Sequence, residues 1–147
     1  MKAEELIKEL GRTLGASLEL SPVGTCSAAF DGDVVEFEQV DDTLWIYADL
    51  GSSQNREDAA LSLLAANRLG LKTGGAAISL DEERDQFVMH MEVWGDVAYE
   101  SFESRFVLFI KALRWWKEWL SLPPVKRAGA TMQDEFIPMD LASMIRV

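Results

Sequence analysis

The segment that most constrains the fold is a long helical pattern at about 98–121, which ends at Pro123-Pro124. Six large apolar side chains recur at helical spacing and form one stripe: Phe102, Phe106, Phe109, Leu113, Trp116 and Leu120. A second stripe lies on the adjoining flank: Leu108, Trp115 and Trp119. Because a surface helix of a globular protein usually buries one apolar stripe, the second stripe needs a partner, in the same subunit or in another one.

The remaining periodicities predict the element order α-β-β-β-α-β-β-α and an α+β fold. We expect helices at about 2–15 and 55–69, and strands at about 25–30, 34–40, 43–50, 76–81 and 86–94. Asp31-Gly32 favours a tight hairpin between the first two strands, because glycine accepts a positive φ. In the second helix, Asn55 is a candidate N-cap. We expect Leu61, Leu64, Ala65 and Leu69 to pack inward from this helix.

The composition narrows the class of partner. The 147 residues are enough for one domain, and 25 acids against 14 bases give a net charge of −11. This balance argues against binding to nucleic acid or to an anionic membrane, since both need positive protein surface. We also expect no signal peptide and no membrane-spanning segment, because no apolar run is long enough. The sequence therefore predicts a soluble protein of a reducing compartment.

No motif for catalysis or metal binding stands out. Cys26 and His90 are the only cysteine and histidine, and we interpret them as a core thiol and a strand histidine rather than a catalytic dyad. Lys72-Thr73 lacks the glycines of a phosphate loop. The acidic stretch 81–85 lacks the spacing of a calcium-binding loop. We therefore expect no enzyme activity, no cofactor and no metal.

Large aromatic side chains are the most informative surface candidates. Trp45 and Tyr47 alternate with the apolar side chains of the third strand, so they lie on its opposite face. Tryptophan and tyrosine are enriched where proteins bind other proteins. We expect Trp94 and Trp116 to be core residues. For Trp115 and Trp119 we favour a contact outside the subunit's own core.

The second helix and the strand after it carry a resemblance to a known family. The stretch Leu61-Ser62-Leu63-Leu64-Ala65-Ala66-Asn67 is followed by Gly70 and then by Ala77-Ile78-Ser79-Leu80-Asp81. This pattern, together with the element order and the acidic charge, resembles the class I type III secretion chaperones, the Tir-chaperone-like family. The resemblance covers about 1–121. We expect 122–147 to be a C-terminal tail, either flexible or docked on the domain.

The resemblance implies a cytoplasmic homodimer whose twisted antiparallel sheet packs against helices. Such a chaperone binds the N-terminal region of secreted effector proteins in extended form and keeps them soluble and ready for secretion, without ATP. It could also contact the export apparatus. We expect the strand at 25–30 to be an open sheet edge. The residues expected to contact the effector are Leu14, Leu18, Val35, Phe37, Trp45 and Tyr47. The residues expected at the dimer interface are Ile78, Leu80, Trp115 and Trp119.

Two other readings stay open. One is an acidic regulatory or adaptor protein that binds a folded partner through an aromatic surface or through the tail. The other is an acidic mimic of nucleic acid, which would bind a basic protein strongly and lose that binding in salt.

Overall fold

The computed structural model describes residues 1–130. Within these residues, four α-helices and five β-strands follow one another. They are α1 (Ala3–Leu14), β1 (Thr25–Phe30), β2 (Asp33–Val40), β3 (Thr43–Ser52), α2 (Glu57–Ala66), β4 (Ala77–Asp81), β5 (Gln86–Trp94), α3 (Tyr99–Ser121) and α4 (Pro124–Arg127). A short 3₁₀ turn, Arg68–Gly70, follows α2. The predicted order of eight elements is confirmed, and the short α4 follows them.

All five strands form one antiparallel sheet in the order β1-β2-β3-β5-β4. Asp31 and Gly32 both have positive φ, which gives the tight β1–β2 turn that the sequence predicts. Within residues 1–130, β1 and β4 are therefore the two edge strands.

The core lies between one face of the sheet and the helix α3. Phe106 of α3 is completely buried, and its ring centroid lies 5.2 Å from that of Phe30 and 5.9 Å from that of Phe37. The whole predicted stripe of α3 is buried, as the helical spacing requires. The helix α1 packs against α3 through Leu6, Ile7 and Leu10, among others: these side chains are also fully buried.

The helix α2 differs from its prediction. It begins at Glu57 rather than near Asn55, which has a φ of 57°, and it ends at Ala66. Its buried residues are Ala59, Leu63 and Ala66. The prediction that Leu61, Leu64, Ala65 and Leu69 pack inward is wrong. Ala65 is exposed, and the exposed fractions of the three leucines are 74% for Leu61, 69% for Leu64 and 83% for Leu69. The helix is apolar on more than one side, so periodicity alone does not identify the buried side.

The second stripe of α3 packs partly against α4 of the same subunit. Trp119 is buried, and its indole N–H donates a hydrogen bond of 3.2 Å to the carbonyl of Arg127 in α4. Trp115 is partly buried next to it. The first residues of the predicted tail thus pack on α3, whereas 131–147 lie outside the described residues. Trp94 is largely exposed at the end of β5, so the prediction that it is a core residue is wrong.

Candidate functional site

The edge of β1 presents backbone groups that face away from the rest of the sheet. The N–H of Thr25 donates to Ser21 Oγ (3.2 Å) and its carbonyl accepts from the N–H of Ser21 (2.7 Å), so these groups point away from β2. Alternate residues of an antiparallel strand direct their N–H and C=O to the same side. Ser27 and Ala29 therefore face outward as Thr25 does, and their small side chains are exposed. A second extended chain can pair with this edge.

The face of the sheet away from α3 carries aromatic side chains, and we call it the outer face. Tyr47 is paired in register with Glu36 on one side and with His90 on the other. In the next row, Trp45 lies between Glu38 and Glu92. The centroids of the Trp45 and His90 rings are 6.2 Å apart. These side chains line a shallow cavity of about 390 Å³: Glu38, Val40, Trp45, Tyr47, Val88 and His90.

Burial and charge set the protonation states on the outer face. Burial, assisted by the negative charges of Glu38 and Glu36, raises the pKa of Tyr47. Burial lowers the pKa of His90, against a smaller opposing effect of Glu92. Both rings are therefore neutral near pH 7, and carboxylates surround them. The outer face thus combines a neutral aromatic centre with a negative rim.

The structure brings only two of the predicted effector contacts together. Trp45 and Tyr47 are neighbours on the outer face, partly buried. Val35 and Phe37 are fully buried in the core, so the prediction assigned them to the wrong face of β2. The alternation fixes faces only relative to each other. The side chains of β2 that point outward are instead Val34, Glu36, Glu38 and Val40.

The other two predicted effector contacts lie on the opposite side of the sheet. Leu14 is partly buried at the end of α1, and Leu18 is buried in the following loop. Because α1 packs against α3, these leucines are separated from Trp45 by the sheet. They do not form a single site with the aromatic residues of the outer face.

A group of exposed leucines lies on α2, on β4 and on the segment between them. We call it the leucine patch: Leu61, Leu64, Leu69, Leu71 and Leu80. The helix α2 contacts both the 3₁₀ turn and β4, which places these elements next to one another. Of the two residues predicted for self-association on β4, Leu80 is half-exposed and Ile78 is buried. The sequence interpretation missed the α2 leucines because it assigned them to the core.

Asn67 joins the end of α2 to the edge of β4. Its side-chain amide donates to the carbonyl of Ile78 (2.7 Å), and its side-chain oxygen accepts from the N–H of Ile78 (2.6 Å). One side chain thus satisfies both backbone groups of Ile78, as a neighbouring strand would. The alternation directs the backbone groups of Leu80 to the same side. The edge of β4 is therefore partly closed by the subunit itself.

Three tryptophans of α3 meet α4 in a second cavity, the Trp–Arg pocket. Its volume is about 470 Å³, and among its lining residues are Lys72, Trp115, Trp116, Trp119, Arg127 and Ala130. The ring centroids of Trp115 and Trp116 are 4.6 Å apart, and those of Trp116 and Trp119 are 5.2 Å apart. Because α4 covers Trp119, this ring is not available as the dimer contact that the sequence predicted, whereas Trp115 keeps some exposure.

The residues considered for chemistry are not assembled into a site. Cys26 is paired with the inward-facing Phe37, whereas His90 is paired with Tyr47 on the outer face. The two side chains thus lie on opposite faces, with β2 and β3 between their strands. Within residues 1–130, no cluster of three or more His, Cys, Asp or Glu side chains could hold a metal ion. No helix in this part of the chain combines the length and apolar character that crossing a bilayer requires.

Comparison with known proteins adds a family and a fold. The model of the Tir chaperone protein (CesT) family matches residues 5–117. No curated protein matches the chain. The HopA1-SchA chaperone-effector complex contains a similar chain, with a TM-score of 0.65 and 18% identity, covering 78% of this chain and 91% of that one.

Two further solved structures share the fold. The ExsC-ExsE complex gives a TM-score of 0.68 with 19% identity, covering 84% of this chain and 98% of that one. The Yersinia pestis type III secretion chaperone SycH, in complex with a stable fragment of YscM2, gives a TM-score of 0.61 with 16% identity. Here the match covers 77% of this chain and 98% of that one. The predicted resemblance and the α+β fold are both confirmed.

Proposed function

Because the chain belongs to the Tir chaperone protein (CesT) family, we propose that it is a cytoplasmic chaperone of a type III secretion system. Its client is the N-terminal region of one or more secreted effector proteins, held in extended form. Chaperone-effector complexes among the similar structures support this assignment. The observation that carries it is an open β1 edge in the same sheet as the partly exposed rings of the outer face.

The edge and the rings supply two different kinds of binding energy. An extended client that pairs with Ser27 and Ala29 gains backbone hydrogen bonds that tolerate many sequences. The rings of Trp45 and Tyr47 lie two strands away, about 10 Å at the usual strand spacing. The same client can therefore reach the outer face and bury apolar side chains against them. Pairing and burial are both spontaneous, so this mode of binding uses no ATP.

We further propose that the chaperone is a homodimer joined through the leucine patch and the part of β4 that adjoins Leu80. Exposed leucines grouped on adjacent elements are typical of a protein interface. The negative charge of the chain keeps a protein with such surfaces soluble and repels acidic competitors. Contact with the export apparatus and release of the client there belong to the same proposal.

The proposal is tested by identifying the client and then changing the two binding surfaces separately. Tagged protein is purified from its own bacterium, the co-purifying polypeptides are identified by mass spectrometry, and the N-terminal fragment of the main one is titrated by calorimetry. Co-purification of folded proteins only, bound independently of their N-terminal regions, would favour an adaptor instead.

Substitutions at Ala29 isolate the β1 edge. Ala29→Pro removes an outward N–H while leaving the ladder to β2 intact, since proline is tolerated on edge strands. We expect at least about a tenfold loss of affinity, the equivalent of one to two hydrogen bonds. Ala29→Val is the matched control, because it keeps the N–H, and its affinity should remain close to wild type. Equal affinities of the two variants would remove the β1 edge from the site.

Substitutions on the outer face test the rings. Trp45→Ala and Tyr47→Ala should each weaken client binding while the circular dichroism spectrum stays native. Val125→Ala, which shortens an exposed side chain in α4 rather than on the sheet, is the control. Retention of wild-type affinity in both ring variants would exclude the outer face from client binding.

A further inference from the structure

The Trp–Arg pocket contains a buried cation with incomplete hydrogen bonding. Arg127 is only 6% exposed, and its Nη2 donates to Asp58 Oδ2 at 2.9 Å. Within the described residues, its Nε and Nη1 are buried without a hydrogen-bond partner. The guanidinium carbon lies 5.4 Å from the centroid of the Trp119 ring. A buried guanidinium with unpaired donors destabilises a fold unless an acceptor reaches it.

Two indole N–H groups of the pocket are already paired, whereas the buried guanidinium is not, which indicates the kind of ligand that is missing. The indole N–H of Trp116 donates to the carbonyl of Lys72 at 2.7 Å, and that of Trp119 donates to the carbonyl of Arg127. These bonds fix two of the aromatic walls, and within residues 1–130 the buried side-chain donors without a partner are Nε and Nη1 of Arg127. Asp58, the present partner of Arg127, has a side chain that is 56% exposed, so water weakens this ion pair. The pocket therefore fits a carboxylate accompanied by an apolar group.

We propose that the Trp–Arg pocket binds a carboxylate of this chain's own C-terminal segment, supplied by Asp134 or Glu135. Ala130 lines the pocket and is the last residue that the structure describes. Asp134 follows four residues later, and four residues of extended chain span about 13 Å. Phe136 and Ile137 come directly after the two acids and match the aromatic walls.

This proposal concerns residues outside the part of the chain that matches the family, 5–117, and does not depend on the client. Arg127 and Ala130 both lie beyond that range. The pocket would fix the start of the C-terminal segment on the α2–α3 side of the molecule. It would also give Nε and Nη1 of Arg127 an acceptor inside an aromatic cavity, in addition to the pairing of Nη2 with Asp58.

A double-mutant cycle in the full-length chain tests the proposed contact. The acids are neutralised in Asp134→Asn/Glu135→Gln, the cation is removed in Arg127→Met, and both changes are combined. We expect the acid variant to lower the urea midpoint of the wild type and to have no further effect in the Arg127→Met background. Asp140→Asn, a change in the same segment, is the control: its effect on the urea midpoint should be the same in the wild type and in the Arg127→Met background. Additive effects of the acids and Arg127 would overturn the proposal.

A binding experiment separates the chain's own segment from an acidic segment of another polypeptide. The probe is a fluorescein-labelled synthetic peptide of residues 131–147, titrated by anisotropy. It should bind the full-length Asp134→Asn/Glu135→Gln variant at least about tenfold more tightly than the wild type, whose own segment competes at about millimolar effective concentration. Equal affinities for the two proteins would show an unoccupied pocket and overturn the proposal. Where Arg127→Met fails to fold, Arg127→Lys in the same titration should weaken peptide binding, and unchanged binding would count against the contact.

Discussion

Replacing Leu61 and Leu64 together by alanine should dissociate the proposed homodimer. Complete burial of a leucine side chain stabilises by about 1.5–3 kcal/mol. Since these two side chains are 74% and 69% exposed in the single subunit, about 1–2 kcal/mol per leucine is still to be gained in an interface. A twofold dimer contains the pair twice, so the double substitution removes about 4–8 kcal/mol if all four leucines are buried. The dissociation constant should rise roughly 10³- to 10⁶-fold.

Sedimentation equilibrium at micromolar concentration measures this change directly. The wild type should sediment as a dimer and the Leu61→Ala/Leu64→Ala variant as a monomer. Val23→Ala is the matched control, because it shortens an exposed apolar side chain in the loop before β1, away from the leucine patch. Far-ultraviolet circular dichroism should be the same for all three proteins. A dimeric double variant, or a monomeric wild type, would refute the argument that the leucine patch joins two subunits.

Three further substitutions test the energetics of the fold. Burial holds the pKa of His90 below its ordinary value of 6.5, so the unfolded chain takes up that proton first as the pH falls. The free energy of unfolding should therefore decrease below about pH 6.5. In urea unfolding between pH 7 and 5, His90→Gln should make this decrease smaller, and an unchanged dependence on pH would contradict the argument. Phe106→Ala should cost about 3–5 kcal/mol by the same assay, since its ring is completely buried among other phenylalanines, and a loss below 1 kcal/mol would be inconsistent with that packing. Asn67→Ala should cost about 1–3 kcal/mol because it leaves both backbone groups of Ile78 without their partner, and a neutral effect would show that water replaces the side chain.

The elements of the fold are predictable where local chemistry and packing agree. The β1–β2 turn follows from Asp31-Gly32, whose backbone conformation few other residue pairs accept. The stripe of α3 follows from helical spacing, because one side of that helix is continuously aromatic or aliphatic. At these positions a single residue type or a single period is compatible with only one structure, and sequence alone was sufficient.

Faces and partners are less predictable because they depend on distant parts of the chain. Both faces of β2 carry apolar residues, so the alternation does not indicate whether Val35 or Val34 points to the core. In α2 the side of Ala59, Leu63 and Ala66 faces the core, and Leu61 and Leu64 remain exposed. No pattern in the sequence predicts that Arg127 is buried, because its burial depends on the packing of α4 against Trp119.

The two edges of the sheet are built differently, and this difference supports separate roles for them. At β4, the side chain of Asn67 already occupies the backbone groups of Ile78, so a neighbouring chain cannot pair continuously along this edge. Association on that side must rely on side chains, and the leucine patch provides them. Side-chain interfaces select a partner of matching shape, and in the proposed twofold dimer the same patch of two copies would meet. At β1, Ser27 and Ala29 offer backbone groups with little side-chain selectivity, a surface suited to polypeptides of varied sequence. A self-contact at β4 and a client contact at β1 can therefore form together without competing for the same groups.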